Sequence, residues 1–137
     1  MATYNGANIT SGAVKAIHAG VNAAVGSVSP GATVASGDQL NVLRLPPGAE
    51  VIDVKVKVTG VVPGAISVHD SEGNEYARTA TPAAGVYVQG TGSGYGTRLT
   101  GSANLFVRPS NLSGALAGNE SAVYSVVVEY LSEKDGD

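Results

Sequence analysis

The sharpest signal in the chain is an alternation of apolar and polar residues between Val51 and Thr59. Ile52, Val54, Val56 and Val58 fall on one side and Asp53, Lys55, Lys57 and Thr59 on the other, as in a strand with one buried and one wet face. A half-wet strand of this kind belongs to an antiparallel sheet. Asp38 to Leu45 reads as the preceding strand. It is stopped by Pro46-Pro47-Gly48, because consecutive prolines withdraw two N–H donors and no ladder runs through them. Further strands are expected at Ala65–His69, Tyr76–Thr79, Val86–Val88 and Ala103–Arg108, with turn-forming residues between them. The last strand, Ser121 to Leu131, sets Tyr124, Val126, Val128 and Tyr130 against a second face holding Val123, Val127 and Leu131. Both faces are largely apolar, so this strand is expected at the centre of a sheet or covered on both sides. Seven or eight short strands with no long helix predict an all-β fold, an antiparallel β-sandwich or jelly-roll. Its expected core is Ile52, Val54, Val56, Val58, Val68, Phe106, Val126 and Val128.

Residues 1–37 follow no such pattern. They are rich in Ala, Gly, Ser, Thr and Asn, and Lys15 is their only charge. Tyr4, Ile9, Val14, Ile17, Val21, Val25, Val28 and Val34 lie too far apart to build a core alone. Gly12, Gly20, Gly26 and Gly31 interrupt a helix, although Ala13 to Ala24 has the composition for a short one. The pattern predicts an extended N-terminal arm (1–37), a β-sandwich domain (38–131) and an acidic flexible tail (132–137). Tyr4, Ile9, Val14 and Ile17 are the arm's candidate interface residues. At roughly 25 cal/mol per Å² their burial against another surface is worth several kcal/mol.

Charge narrows the partners. The 137 residues carry 8 basic and 11 acidic side chains, a net charge of −3. Four of the acids (Glu129, Glu133, Asp135 and Asp137) stand with Lys134 at the C-terminal end, which leaves the remainder neutral. A neutral body displaces few counterions, so no nucleic acid is expected as a partner. No apolar run approaches the roughly 18 residues of a membrane span, and no basic-then-apolar leader pattern opens the chain. With no cysteine there is no disulfide, thiolate metal site or cysteine nucleophile, which fits synthesis in a reducing cytoplasm. Charged residues make up 14 %, well under the usual quarter, which suggests that much of the surface is covered by neighbours.

No constellation for catalysis stands out. Gly90-Thr91-Gly92-Ser93-Gly94-Tyr95-Gly96 lacks the spacing of a phosphate loop and reads as a loop or bulge between strands. Asp70, Glu72 and Glu75 miss the calcium-loop pattern and read as a solvated hairpin tip. His18 and His69 have no cysteine or HExxH partner, and no Gly-x-Ser-x-Gly elbow is present for a serine nucleophile. Tyr76, Tyr87 and Tyr95 could stack on a sugar, which keeps a carbohydrate-binding module as the alternative and a small hydrolase as a distant third. No catalytic, cofactor or metal residue is expected.

The stretch Gly37-Asp38, an alternating strand, then Leu45-Pro46-Pro47-Gly48-Ala49-Glu50-Val51-Ile52-Asp53 resembles a pattern of small virion proteins of tailed bacteriophages. Val68-His69-Asp70, Gly94-Tyr95-Gly96, the closing strand Val126 to Tyr130 and the opening Met1-Ala2-Thr3-Tyr4 fit it too, so the likeness spans nearly the whole chain. The resemblance implies a head decoration or cement protein, made in the host cytoplasm and seated on the outer capsid surface. Its partner would be the major capsid protein, and a homotrimer or other homo-oligomer would suit the lattice. A neck, tail or fibre-base position is the variant of the same reading.

Overall fold

The structure, a computed structural model, describes residues 3–6, 20–31, 34–35, 37–60, 66–80, 85–109, 115–116 and 122–132. These residues form strands and turns without a helix. In chain order the strands are β1 (Thr3–Asn5), β2 (Gly20–Val28), β3 (Val34–Ala35), β4 (Gln39–Leu45), β5 (Glu50–Thr59) and β6 (Ile66–Asp70). They continue with β7 (Glu75–Ala80), β8 (Val88–Gln89), β9 (Ala103–Pro109), β10 (Ala115–Leu116) and β11 (Val123–Ser132). One sheet runs β1-β4-β9-β6-β7 and the other β2-β11-β5-β8, with β3 and β10 as a separate short pair. All pairings are antiparallel except β1 with β4, which is parallel.

The chain changes sheet at the diproline. Ala49 N–H donates to the Pro46 carbonyl at 3.3 Å and Gly48 takes φ +79°, a type II turn with Pro47 at its first central position and the glycine it requires at the second. β4 ends in one layer and β5 begins in the other. Between the layers lie the side chains that alternation selects: Val54, Val56 and Val58 from β5, Leu105 and Val107 from β9, Val126 and Val128 from β11, all fully buried. β11 pairs along its length with both β2 and β5, so it is central as its two apolar faces require. Its second face is half-buried, not covered.

Ile52 departs from the expected core and is 39 % exposed. Glu129 pairs with Asp53 and the next residue, Tyr130, with Val51, so Ile52 is the extra residue of a β-bulge. Beyond the bulge the alternation changes phase, and Val51 points inward in place of Ile52. Phe106 is buried at 6 % exposure, but on the outer face of its sheet, where it stacks on His69.

The N-terminal region also differs from an arm lying apart from the sandwich. β1 extends the first sheet and β2 forms an edge of the second, so residues 3–5 and 20–28 belong to the domain. Residues 20–24 are strand, which removes that half of the short helix considered for Ala13 to Ala24; residues 13–19 lie outside the described residues. Gly26 is what lets β2 fit: a Cβ there would stand 2.3 Å from the Val42 carbonyl oxygen of the facing layer. Tyr4 and Ala24 pack on the same core. These isolated apolar residues complete a core assembled by later strands.

Leu105→Ala is expected to lower unfolding stability by about 2–5 kcal/mol in urea denaturation, the cost of a buried leucine's cavity. Ile52→Ala is expected to stay within about 1 kcal/mol, since its side chain stands outside.

Candidate functional site

The glycine-rich stretch and the acidic turn meet at one edge of the sandwich. Residues 90–96 run along that edge and bond to both layers, to one at the two ends and to the other in the middle. Gly90 N–H donates to Val54 O at 2.8 Å, Gly92 to Tyr76 O at 2.7 Å, Gly94 to Glu75 O at 2.7 Å and Gly96 to Val51 O at 3.1 Å. The strap therefore laces β5 of one sheet to β7 of the other. It lies so close to β7 that a Cβ on Gly92 would stand 2.4 Å from the Glu75 carbonyl oxygen. Glycine at 90, 92 and 94 is a packing requirement here, whereas Gly96 has open space and is required by its φ of +84°. Tyr95, within the strap, donates to Gly90 O at 3.0 Å and its ring meets Tyr76 at 5.5 Å. Burial holds the Tyr95 phenol above its ordinary pKa.

Asp70 is not a solvated tip residue: it is 2 % exposed. Its carboxylate accepts from Glu72 N–H at 2.9 Å, Asn74 N–H at 3.1 Å, the Asn74 amide at 2.8 Å and the Tyr76 hydroxyl. Four donors occupy the lone pairs that a cation would need. Burial, then the Asp70 bond, drives the Tyr76 phenol well above its usual pKa, so it stays a donor at any working pH. Glu72 turns outward and accepts from Thr100 N–H (3.1 Å), the Thr100 hydroxyl (3.0 Å) and Gly101 N–H (3.0 Å). Those bonds, the Thr100 and Gly101 amides foremost, hold its carboxyl below the ordinary value. Among the described residues no group of three or more His, Cys, Asp or Glu is arranged to hold a metal.

A shallow polar hollow opens where the strap passes the turn, lined by His69, Asn74, Glu75, Ser93 and Thr97 among others. His69 Nε2 lies 2.9 Å from Ser67 Oγ and 3.8 Å from Glu75 Oε2. A serine, a histidine and an acid thus stand together, but both partners face the same ring nitrogen. A nucleophile relay needs them on opposite nitrogens. Ser67 is also buried, and its hydroxyl lies 3.3 Å from Arg108 O. The trio instead belongs to a polar chain across the sheet's outer face. Asn41 donates to Asn5 (2.8 Å), Gln39 to Asn41 (3.0 Å) and Arg108 to Gln39 (3.3 Å), with Arg108 also over the Phe106 ring.

The fold is one found in phage capsids. The chain is similar to one from the capsid of Ralstonia phage GP4, with TM-score 0.76 and 16 % identity over 98 % of this chain and 100 % of that one. It is also similar to a chain of the cyanophage Pam1 capsid asymmetric unit, with TM-score 0.63 and 21 % identity over 87 % of this chain and 89 % of that. A chain of the acid-stable capsid of Helicobacter pylori bacteriophage KHP30 gives TM-score 0.50 and 18 % identity, over 84 % and 90 %. By sequence, no family model and no curated protein matches. Coverage of a whole chain by 98 % of this one makes the shared unit the full sandwich, N-terminal strands included.

Of the residues singled out from sequence, Tyr4 sits on β1, half-buried against the protein's own core. Ile9, Val14 and Ile17 lie outside the described residues, as does His18. Of the three tyrosines considered for sugar stacking, Tyr76 is fully buried and Tyr95 packs on it, while Tyr87 carries Lys57 4.7 Å over its ring. They form no shared platform. Sequence reading missed the Asp70 anchor. Its one available signal was the Asp-x-x-x-Asn spacing from Asp70 to Asn74, which suits a turn-closing carboxylate.

Tyr76→Phe leaves the buried Asp70 carboxylate one donor short and is expected to cost about 1–3 kcal/mol by chemical denaturation. Gly92→Ala is expected to cost more, because backbone must move. For Glu72 the pKa is depressed by folding, so its contribution is present above the ordinary carboxyl value near 4.5 and is lost as pH falls through the lower folded value. Wild type should therefore exceed Glu72→Gln in stability at neutral pH, and the two should converge in acid below that value.

Proposed function

We infer that the protein is a structural component of a bacteriophage virion that decorates and stabilises the capsid. It would bind the major capsid protein lattice on its outer surface as a homo-oligomer, after synthesis in the host cytoplasm. The observation that carries this is the whole-chain likeness to a chain of the same extent from a phage capsid. The physical character of the molecule agrees with it. Beside the polar hollow, His69 faces Ser67 and Glu75 with one ring nitrogen, and Ser67 is buried and misplaced for nucleophilic work. Binding a lattice needs contact spread over a wide surface more than a deep site. A trimer would match the threefold positions of an icosahedral shell.

Ile9, Val14 and Ile17 are proposed as contacts to the shell. Because β2 is a strand of the sandwich, removing all of residues 1–37 would damage the fold itself, so substitution is the cleaner probe. Purified protein mixed with shells of the major capsid protein is expected to co-sediment with them and raise their dissociation temperature. Ile9→Ser, Val14→Ser and Ile17→Ser combined should weaken binding tenfold or more with the circular dichroism spectrum kept. Removal of residues 133–137 should leave binding unchanged. Failure of the wild-type protein to sediment with shells, or binding to a glycan instead, overturns the reading.

A further inference from the structure

Among the described strands β1 alone pairs in parallel, and it is three residues long at the edge of its sheet. It runs directly into Asn5-Gly6, the only Asn-Gly pair in the chain. This dipeptide is the one most open to self-modification. The backbone nitrogen of the glycine can attack the asparagine side-chain carbonyl carbon, because no Cβ stands in its way.

The fold calls for both residues. A Cβ on Gly6 would run into the Ser27 carbonyl oxygen of β2, so glycine is required by packing. Asn5 Oδ1 accepts from Asn41 Nδ2 at 2.8 Å, and Asn41 is 4 % exposed, a buried amide that needs an acceptor. Asn41 also holds the other reacting group. Its backbone carbonyl accepts from Gly6 N–H at 2.8 Å, so nucleophile and electrophile are both tied to one residue of β4. Asn41 is oriented in turn by Gln39, whose amide donates to Asn41 Oδ1 at 3.0 Å, and Arg108 donates to Gln39 at 3.3 Å.

Backbone conformation adds a second restraint. Ring closure needs the Gly6 nitrogen on the same side as the Asn5 Cβ. At the ψ of an extended strand it lies on the side of the α-hydrogen instead. While β1 lies on β4, the attack therefore lacks both its geometry and a free N–H.

We propose that Asn5-Gly6 is a self-modification site gated by Asn41, silent while β1 is docked on β4 and deamidating when β1 opens. In the first step the Gly6 nitrogen loses its proton and bonds to Asn5 Cγ. The Cγ–Nδ2 bond breaks, and the amide nitrogen leaves as ammonia with that proton. Water then opens the succinimide ring at either carbonyl, which gives aspartate or isoaspartate at position 5 with no change of oxidation state. Isoaspartate carries the main chain through the side-chain methylene, one carbon more than the pairing with Asn41 accommodates. β1 then cannot return to its register, and Tyr4, which packs on the core from this strand, is released with it. Opening becomes irreversible. A short edge strand is where local opening costs least, so the reaction proceeds without unfolding of the sandwich. None of this rests on the proposed function.

The test follows the native full chain at mildly alkaline pH, with mass spectrometry of the tryptic peptide Met1–Lys15 and chromatographic separation of isoaspartate from aspartate. A synthetic peptide of residues 1–15 sets the ungated rate. The wild type is expected to react at Asn5 at least about tenfold more slowly than the peptide. Asn41→Ala removes the side-chain hold, and Gln39→Ala, the milder change, frees the Asn41 amide to turn. Each should raise the Asn5 rate several-fold over the wild type with the circular dichroism spectrum kept. In the isoaspartate fraction, hydrogen exchange over residues 3–6 should be fast while the rest of the sandwich stays protected. A wild-type protein that reacts as fast as the peptide, a folded variant that reacts at the wild-type rate, or a reacted chain still protected over residues 3–6 overturns the proposal.

Discussion

A carboxylate taken out of water must be supplied with donors, and Asp70 is the place where this chain meets that demand. An unpaired charge in its position would cost several kcal/mol. The turn that follows Asp70 is shaped to meet it, with two backbone amides and the Asn74 side chain on one carboxylate and the Tyr76 hydroxyl brought across from β7. Fixing Tyr76 fixes the wall against which Tyr95 packs, and Tyr95 in turn holds the start of its own strap through Gly90. The strap's other bonds reach Val51 and Val54, so the register of the second sheet against the first is set from this corner. Hydrophobic burial drives the two layers together without direction. The Asp70 cluster and the strap supply the direction.

Much of this was legible in the sequence wherever periodicity was regular. Val54, Val56 and Val58 alternate, and so do Tyr124 to Tyr130, and burial follows the alternation. Ile52 fails because a bulge is a property of the pairing and not of the strand that carries it. Nothing in Val51-Ile52-Asp53 says which residue its partner will skip. The N-terminal strands fail for a related reason. β2 contributes small residues, and Gly26 in particular, to a site already walled by β4, so its fit depends on closeness and leaves little apolar signal. The glycine-rich stretch reads as a loop between strands, and it lies between β8 and β9. Its lacing to two sheets depends on where β5 and β7 end up in space.

The candidate site shows the same division. Which residues carry chemistry is visible in sequence, but which atoms face each other is not. Ser67, His69 and Glu75 come together as a hydrolase reading would want, and their shared ring nitrogen makes them a structural bridge. Tyr76 has the right ring for sugar stacking and is spent in the core. In each case a residue available in composition is committed once the fold places it.

What the fold leaves uncommitted is therefore informative, because most polar groups near the strap and on the first sheet have partners within the chain. The second sheet turns Val21, Val25, Val127 and Leu131 outward beside charges of both signs. An edge strand with an apolar outer row invites uncontrolled pairing, and proteins usually blunt such strands with charge. Here the charges sit one strand further in, on β11 and β5, with Lys55 closing the row that Val25 and Val127 begin. Apolar contact gives such a surface its adhesion, and the placed charges select among partners by penalising wrong registers.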